Sequence, residues 1–302
     1  MYEKLTLSRS ADALTVTAAR TDIARYVLRS DAPAVEAPKP FLHPLRTLGG
    51  APLTAVRPWD HRWHKGLQMT WSHVSGQNFW GGPTFVRDSG YQRLDNVGAI
   101  RHEEFEDVVE RDDEVALTER LSWTTSAGER WIDERRTHRF HSADAGRGLW
   151  ALDFTTSLAN VRGAALELGS PTTHGREAAG YTGLFWRGPR SWTGCDVLSA
   201  TGLRGGGEVM GTRSDWIALT GQQDEIDGGA TVLCFAGTTS GTAPIRWFVR
   251  SEPFPVFSPS PSFDRTVTLA PEGVLDLRHR LVFVDRRASE DEIAGLAEEY
   301  AL

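Results

Sequence analysis

Histidine side chains are concentrated in one short stretch of this 302-residue sequence. Four of the nine histidines fall between residues 43 and 73: His43, His61, His64 and His73. Around them lie side chains that can hold a polar ligand or stack on it: Trp59, Asp60, Trp63, Lys65, Trp71, Asn78 and Trp80. Imidazole titrates near neutral pH and both gives and takes protons, so this segment is a candidate site for acid–base chemistry.

Three interpretations of His61 and His64 are open from the sequence. They can act as general acid and base on a polyhydroxylated substrate, with His174 and His43 as further candidates. They can ligate a metal ion with His43 or His174 as a third ligand, although imidazoles three residues apart are no specific zinc signature. They can also be structural, bonding to backbone carbonyls. The surrounding Asp, Arg, Lys and Trp side chains favour proton transfer.

A second polar segment, residues 174–190, adds candidates for substrate contacts. His174, Arg176 and Glu177 are followed by a glycine-rich stretch that contains Tyr181. The planar fork of arginine suits carboxylates and vicinal hydroxyls, and glycines allow close approach of the backbone. A glycine-rich hairpin with surface ion pairs explains the same pattern equally well.

A third segment, residues 246–254, combines arginines and aromatic side chains in the same way. Arg246-Trp247-Phe248-Val249-Arg250 is followed by Glu252 and Phe254. Core packing with a salt bridge is the simpler explanation for this segment.

The candidate side chains have distinct expected roles. Arg46, Lys65 and Arg176 are candidates for anchoring hydroxyl or carboxylate groups. Further contacts to a substrate are predicted from Asp60, Trp63, Trp80, Glu177 and Tyr181. A sugar ring packs well on an aromatic face, so Trp63 and Trp80 are the expected stacking partners.

The elements that must position these side chains are predicted to be β strands. Apolar and polar residues alternate along 150–155 and 275–283, with frequent Gly, Asp and Asn turns between such segments. This pattern predicts an all-β fold, a large antiparallel β sandwich forming a single domain over residues 1–302. The exception is a short helix at about 289–300, where Ser289 and Glu292 form a capping-box pattern.

Some strand faces carry charged residues among apolar ones. Glu119 is in line with leucine and valine, Glu134, Arg136 and His138 share one face, and His279 lies among leucines. A buried charge is costly unless it is paired. These faces therefore form cross-strand ion pairs, the commoner case, or they floor a polar groove.

Composition excludes several classes of function. The net charge is −7 with no basic run, which argues against a nucleic-acid partner. No segment has the ~20 apolar residues of a membrane helix and no signal peptide is visible, so a soluble cytoplasmic protein is expected. Cys195 and Cys234 are expected to be reduced thiols, although a bridge between them stays open. No nucleotide-binding or GxSxG motif occurs, so no cofactor is predicted beyond an optional metal ion on His61, His64 and His174.

Several of these segments resemble the bacterial PmoA family. The resemblance rests on residues 39–47 (KPFLHPLRT), 59–67 (WDHRWHKGL) and 78–80 (NFW), extended by residues 175–184 and 247–250. It runs from about Tyr26 to Val284. It implies a supersandwich of the galactose-mutarotase type and a role in sugar metabolism, alongside sugar dehydrogenases. The membrane subunit of methane monooxygenase implied by the family name does not fit a chain without an apolar span.

The function expected from residues and resemblance together is a carbohydrate-active enzyme. It would act on a sugar or oxidised glycoside by proton transfer, in an isomerisation, epimerisation, elimination or hydrolysis, with His64 and His174 as acid and base. A non-catalytic carbohydrate-binding or sensing protein and a His-ligated metal enzyme are the alternatives. The expected partner is a small-molecule carbohydrate, and a homo-oligomer stays open.

Overall fold

The computed structural model describes residues 2–224, 228–237 and 244–302. Over these residues the chain forms short strands joined by turns. The strands are β1 (Leu5–Arg9), β2 (Ala13–Ala18), β3 (Thr21–Val27), β4 (Phe41–Leu45), β5 (Leu67–Trp71), β6 (His73–Val74), β7 (Thr84–Val86), β8 (Gly90–Gln92), β9 (Ala99–Arg111), β10 (Glu114–Thr124), β11 (Arg130–Asp144), β12 (Leu149–Asn160), β13 (Leu166–Gly169), β14 (Thr182–Arg187), β15 (Asp196–Ser199), β16 (Trp216–Gln223), β17 (Gly228–Ala236), β18 (Arg246–Arg250), β19 (Val256–Ser260), β20 (Val267–Leu269) and β21 (Val274–Val284). The helices are α1 (Gly206–Val209) and α2 (Glu290–Glu299), with 3-10 turns at Ala34–Glu36 and Arg190–Trp192.

Two eight-stranded sheets form the body of the fold. The first sheet has the order β1-β2-β3-β4-β5-β14-β19-β18, and the second has the order β15-β16-β17-β21-β12-β11-β10-β9. Strands β20-β13-β6 and β7-β8 form two small additional sheets. Neighbouring strands of both large sheets run antiparallel, as in the pairs β14–β5 and β12–β21. The predicted all-β antiparallel sandwich is confirmed.

The two large sheets share one apolar core, which explains much of the tryptophan content. Trp71 and Trp186 from the first sheet and Trp123 and Trp150 from the second are fully buried in it. Because side chains alternate along a strand, the residues between these core positions lie on the outer faces of the sheets.

Glu134 and Arg136 are buried as an ion pair and Glu119 is buried beside His102, whereas His138 and His279 are buried as neutral rings. Arg136 Nε donates to Glu134 Oε1 at 2.7 Å, and Trp123 Nε1 donates to the other oxygen at 2.7 Å. Glu119 accepts from the Tyr26 hydroxyl and lies 2.6 Å from Nδ1 of His102. Each buried carboxylate therefore has several partners, as burial of a charge requires. Of the two open interpretations, ion pairing holds for the carboxylates, although Glu134 and Arg136 pair along one strand rather than across two.

Helix α2 covers the outer face of the second sheet. The Ser289 side chain accepts from the Glu292 N–H and the Glu292 side chain accepts from the Ser289 N–H, which is the predicted capping box. Ile293, Leu296 and Tyr300 pack with apolar side chains of that sheet in a second cluster. Within the described residues, the helices are too short and too polar to cross a membrane.

The two cysteines are unpaired thiols. Cys234 is buried and Cys195 is half-buried, and burial raises the pKa of Cys195 to about 12. Both side chains therefore remain protonated near neutral pH, and no bridge joins them in the structure.

Candidate functional site

A cavity of about 340 Å³ opens on the outer face of the first sheet. Such a volume lies within the range of about 300–1,000 Å³ that is typical of small-molecule sites. Leu184 and Trp186 of β14 point into the core between the sheets, so Phe185 between them points outward into the cavity. The lining side chains are His61, Trp63, His64, Trp80, Pro83, Tyr91, Arg176, Tyr181, Phe185, Phe248, Arg250, Phe254 and Val256.

Aromatic rings form a continuous wall of this cavity. The Trp80 ring centroid lies 4.4 Å from that of Tyr181 and 4.6 Å from that of Phe185, and Tyr181 lies 5.2 Å from Phe248. These rings belong to an apolar cluster separate from the core between the sheets. An open aromatic surface of this kind suits the apolar face of a ring-shaped ligand.

Residues 57–66, which we name the imidazole loop, hold two histidines at one end of the cavity. Backbone bonds fold the loop on itself: His61 N–H donates to Pro58 O at 3.0 Å, and His64 N–H donates to His61 O at 2.9 Å. Gly66 then joins the loop to the first sheet, because its carbonyl accepts from Arg187 N–H at 2.8 Å. The loop is thereby closed on itself and attached to the first sheet at Gly66.

Lys65 stabilises the loop through Glu36 and does not reach the cavity. Its side chain is completely buried, and its Nζ lies 4.0 Å from a carboxylate oxygen of Glu36. Glu36 also receives two hydrogen bonds, of 2.8 and 2.9 Å, from Arg57. Burial lowers the pKa of Lys65 to about 8. The predicted role of Lys65 as a substrate anchor does not fit this position, because the ammonium group faces Glu36 and does not line the cavity.

His61 and His64 lie side by side, with ring centroids 4.8 Å apart. Burial, His61 and the cations Arg187 and Lys39 hold the pKa of His64 well below its usual range. Burial also lowers the pKa of His61, and Asp60, whose carboxylate lies 3.5 Å from Nδ1, partly offsets this effect. Both rings are therefore neutral near pH 7, with one nitrogen free to accept a proton.

The two tryptophans of the cavity are positioned by the turn at residues 78–82. Asn78 Oδ1 accepts from the backbone N–H groups of Trp80 and Gly81 at 2.9 Å each. A side chain at Gly82 would lie 2.7 Å from the Trp63 ring, so glycine is needed for this close contact. Both predicted stacking residues, Trp63 and Trp80, line the cavity as a result.

Several predicted residues lie outside the cavity. His43 Nδ1 lies 2.9 Å from Thr54 Oγ1, and Arg46 donates to Gly50 O at 3.1 Å. His174 stacks on His73 with ring centroids 4.1 Å apart, and its Nδ1 lies 2.9 Å from a backbone carbonyl of the preceding turn. The structure therefore does not bring His174 and His64 together as an acid–base pair.

Asp60 and Glu177 also do not line the cavity. Both Asp60 oxygens accept from Arg190 Nη2 at 2.9 Å, and the same carboxylate lies 3.5 Å from Nδ1 of His61. Glu177 is exposed at the surface. Of the twelve predicted site residues, the cavity contains six: His61, Trp63, His64, Trp80, Arg176 and Tyr181.

Residues 13–298 match the family described as Family of unknown function (DUF6807). The chain belongs to this family. No curated protein sequence matches it. A galactose 1-epimerase from Lactobacillus acidophilus aligns with 94% of this chain and 99% of its own, at 8% identity and a TM-score of 0.41. An aldose epimerase homologue from C. elegans aligns with 94% of this chain and 100% of its own, at 9% identity and a TM-score of 0.33. The resemblance to the PmoA family stays a prediction.

The metal-site interpretation lacks a third ligand in this DUF6807 protein. His61 and His64 are neighbours, but His174 is engaged with His73 and the turn at Ser170. Across residues 2–224, 228–237 and 244–302, no group of three or more His, Cys, Asp or Glu side chains is arranged to hold a metal ion.

Sequence reasoning missed part of the lining of the DUF6807 cavity. The sequence assigns Phe248 and Phe254 to core packing. It does not identify Phe185 or Tyr91 as site residues, although both line the cavity. Core packing explains Trp247 and Val249, and Arg246 forms the expected salt bridge, at 3.1 Å to Asp264. The alternating residues of the same strand, Phe248 and Arg250, face the cavity instead. Side chains alternate between the two faces of a strand, so the alternation along 246–250 is the sequence signal that separates Phe248 and Arg250 from the core residues.

Proposed function

We propose that the cavity binds a sugar or sugar derivative and that His61 and His64 transfer protons to and from it. The observation that carries the proposal is the position of two adjacent neutral imidazoles in the aromatic wall of a cavity of about 340 Å³. A base must be neutral to accept a proton at working pH, and an aromatic wall offers a stacking surface to a sugar ring.

His61 is suited to be the base. Its ring is half-buried at the side of the cavity, its Nδ1 lies 3.5 Å from Asp60, and the ring also contacts Phe254 and His64. Asp60 is fixed by Arg190, so its charge stabilises the imidazolium that forms when His61 takes a proton. His64 lies deeper and supplies the second proton-transfer group.

The lining also narrows the type of reaction. No aspartate or glutamate occurs among the side chains that line this cavity in the described part of the chain. Glycoside hydrolysis usually needs a pair of carboxylates on either side of the scissile bond. The proposal is therefore an isomerisation, epimerisation or elimination that moves a proton, rather than a two-carboxylate hydrolysis.

The test replaces both cavity histidines by glutamine, which keeps a polar side chain but cannot exchange protons. A panel of sugars and sugar acids is incubated with the protein in deuterated water and followed by proton NMR. The wild type is expected to exchange or convert one of them, and His61→Gln with His64→Gln to slow this by about 100-fold or more.

The matched control is His43→Gln, a histidine outside the cavity, which should leave turnover unchanged. Thermal unfolding of each variant checks that the fold is retained. Undiminished turnover in the double variant would overturn the proposal, and sugar binding without turnover in the wild type would establish a binding protein instead.

A further inference from the structure

Two arginines line the cavity at the end that we name the arginine end. Arg250 is the last residue of β18, and Arg176 follows the turn that contains His174. Arg176 donates to the Tyr91 hydroxyl, which lies 2.7 Å from the Tyr181 hydroxyl. Arg250 Nη2 donates to Ala178 O at 3.2 Å. Neutral oxygen atoms, rather than carboxylates, therefore hold both guanidinium groups in place.

Among the described residues, neither arginine has the carboxylate partner that holds many of the other arginines of the protein. Glu36, Asp60 and Glu134 each accept from an arginine within 3.0 Å at other positions. In the described parts of the chain, neither Arg176 nor Arg250 has an acidic side chain within ion-pair distance, although the protein carries 40 acidic residues. Burial and the nearby charge of Arg176 both lower the pKa of Arg250. Two like charges without a counter-ion are relieved when an anion binds between them.

From this arrangement we infer that the substrate carries a carboxylate, which Arg176 and Arg250 bind. The inference rests on the proposed function and names its substrate class, a sugar acid. The rings of Tyr181 and Trp80, 4.4 Å apart, lead from the arginine end toward His64, whose ring lies 5.5 Å from Trp80. A sugar acid therefore fits with its carboxylate at the arginines, its ring on the aromatic wall and its reacting carbon near the imidazoles.

The arginine end is better matched to a carboxylate than to a phosphate. Phosphate sites commonly use backbone N–H groups at the start of a helix. Here the donors are two side-chain forks beside tyrosine hydroxyls. A guanidinium fork pairs with the two oxygens of a carboxylate in one plane.

The experiment measures binding by calorimetry and thermal shift with matched ligands. D-glucuronate is compared with D-glucose, D-galacturonate with D-galactose, and glucose 6-phosphate serves as the phosphate probe. The acid of at least one pair should bind about tenfold or more tightly than its neutral partner, because hydrogen bonds to a charged group are strong. Arg176→Gln and Arg250→Gln should each remove this preference while affinity for the neutral sugar stays nearly the same.

Arg246→Gln is the matched control, since Arg246 lies on the same strand but pairs with Asp264 outside the cavity. Arg250→Lys keeps the charge without the fork and is used if Arg250→Gln does not fold; it should lose most of the preference. Equal binding of acid and neutral sugar, tighter binding of the phosphate, or an unchanged preference in the variants would overturn the inference.

The outcomes separate this inference from the proposed function. Sugar acids could bind in a way that depends on the two arginines while the His61 and His64 variants turn over normally. That result would overturn proton transfer by the histidines and support carboxylate recognition by the arginines. Failure of every sugar and sugar acid to stabilise the protein would overturn both.

Discussion

Arg136 and Arg187 are both almost completely buried, but their surroundings differ. Arg136 is held by two hydrogen bonds to Glu134, of 2.7 and 2.8 Å. Arg187 lies on the Phe254 ring, with Cζ 3.8 Å from its centroid, and none of its three guanidinium nitrogens has a hydrogen-bond partner among the described residues. Burial lowers the pKa of Arg187 to about 10. A buried cation without a partner lowers the stability of the fold. Removing a buried cation that is paired also lowers stability, because its partner is then left buried and unpaired.

Replacing each of these arginines by methionine should therefore have opposite effects. Arg187→Met is expected to leave the free energy of unfolding unchanged or to raise it, since a buried unpaired charge is removed. Arg136→Met should lower it by about 3–5 kcal/mol, since Glu134 is left buried and unpaired. Urea unfolding of both variants measures the difference. An equal loss in the two would show that Arg187 is paired in solution.

At the scale of elements, the conformation of Gly66 determines where the imidazole loop meets the sheet. Gly66 has a φ of +58°. A side chain there would lie 2.2 Å from the carbonyl oxygen of Leu42 and 2.9 Å from Cβ of His43. These atoms belong to β4, whose backbone cannot move away without breaking its pairing with β5. The histidines are thus positioned by a contact that only glycine permits.

Gly66→Ala should lower the free energy of unfolding by more than about 2 kcal/mol and weaken ligand binding, because strand and loop must separate. Gly76→Ala is the matched control: φ is +90° there, but nothing lies within 4 Å of the added methyl group. This control isolates the cost of the left-handed backbone, roughly 1–2 kcal/mol. Equal losses in chemical denaturation would mean that the clash at Gly66 is relieved by relaxation.

Some features of this fold can be predicted from the sequence, and others cannot. Two-residue alternation gave the sandwich, and the capping box at Ser289 gave α2, because both patterns are local. Six of the twelve predicted site residues line the cavity, and four of these six come from the histidine and tryptophan cluster: His61, Trp63, His64 and Trp80. His174 was misplaced because the turn before Arg176 directs neighbouring side chains to different surroundings. Phe185 was missed because apolar side chains occupy both faces of β14, so the pattern does not separate the core face from the cavity face.

At the scale of the whole molecule, buried neutral histidines link stability to pH. Burial lowers the pKa of His43, His73 and His279 to about 4, from an ordinary value of 6.5. Complete burial also holds the pKa values of His64 and His138 well below their usual range. Below pH 6.5 the unfolded chain therefore binds more protons than the folded protein, and the stabilising contribution of these neutral rings falls with pH.

The free energy of unfolding is expected to decrease as the pH falls from about 6.5 toward 4, by up to about 1.4 kcal/mol per pH unit for each such histidine. His279 lies among leucines of β21, so His279→Leu should make this slope shallower by about one proton. Urea midpoints at pH 7.5, 6.0 and 5.0 test the change. A slope identical in the wild type and the variant would show that His279 gains its proton in the folded state as readily as in the unfolded one.

The cavity is lined by side chains from His61 to Val256, on segments that are far apart in the chain. Closing such long loops is slow and entropically unfavourable, and it must precede any contact between them. The ligand therefore meets its site only after the first sheet has assembled through β14, β18 and β19. Recovery of ligand binding after dilution from denaturant would accordingly report the assembly of these distant segments of the first sheet.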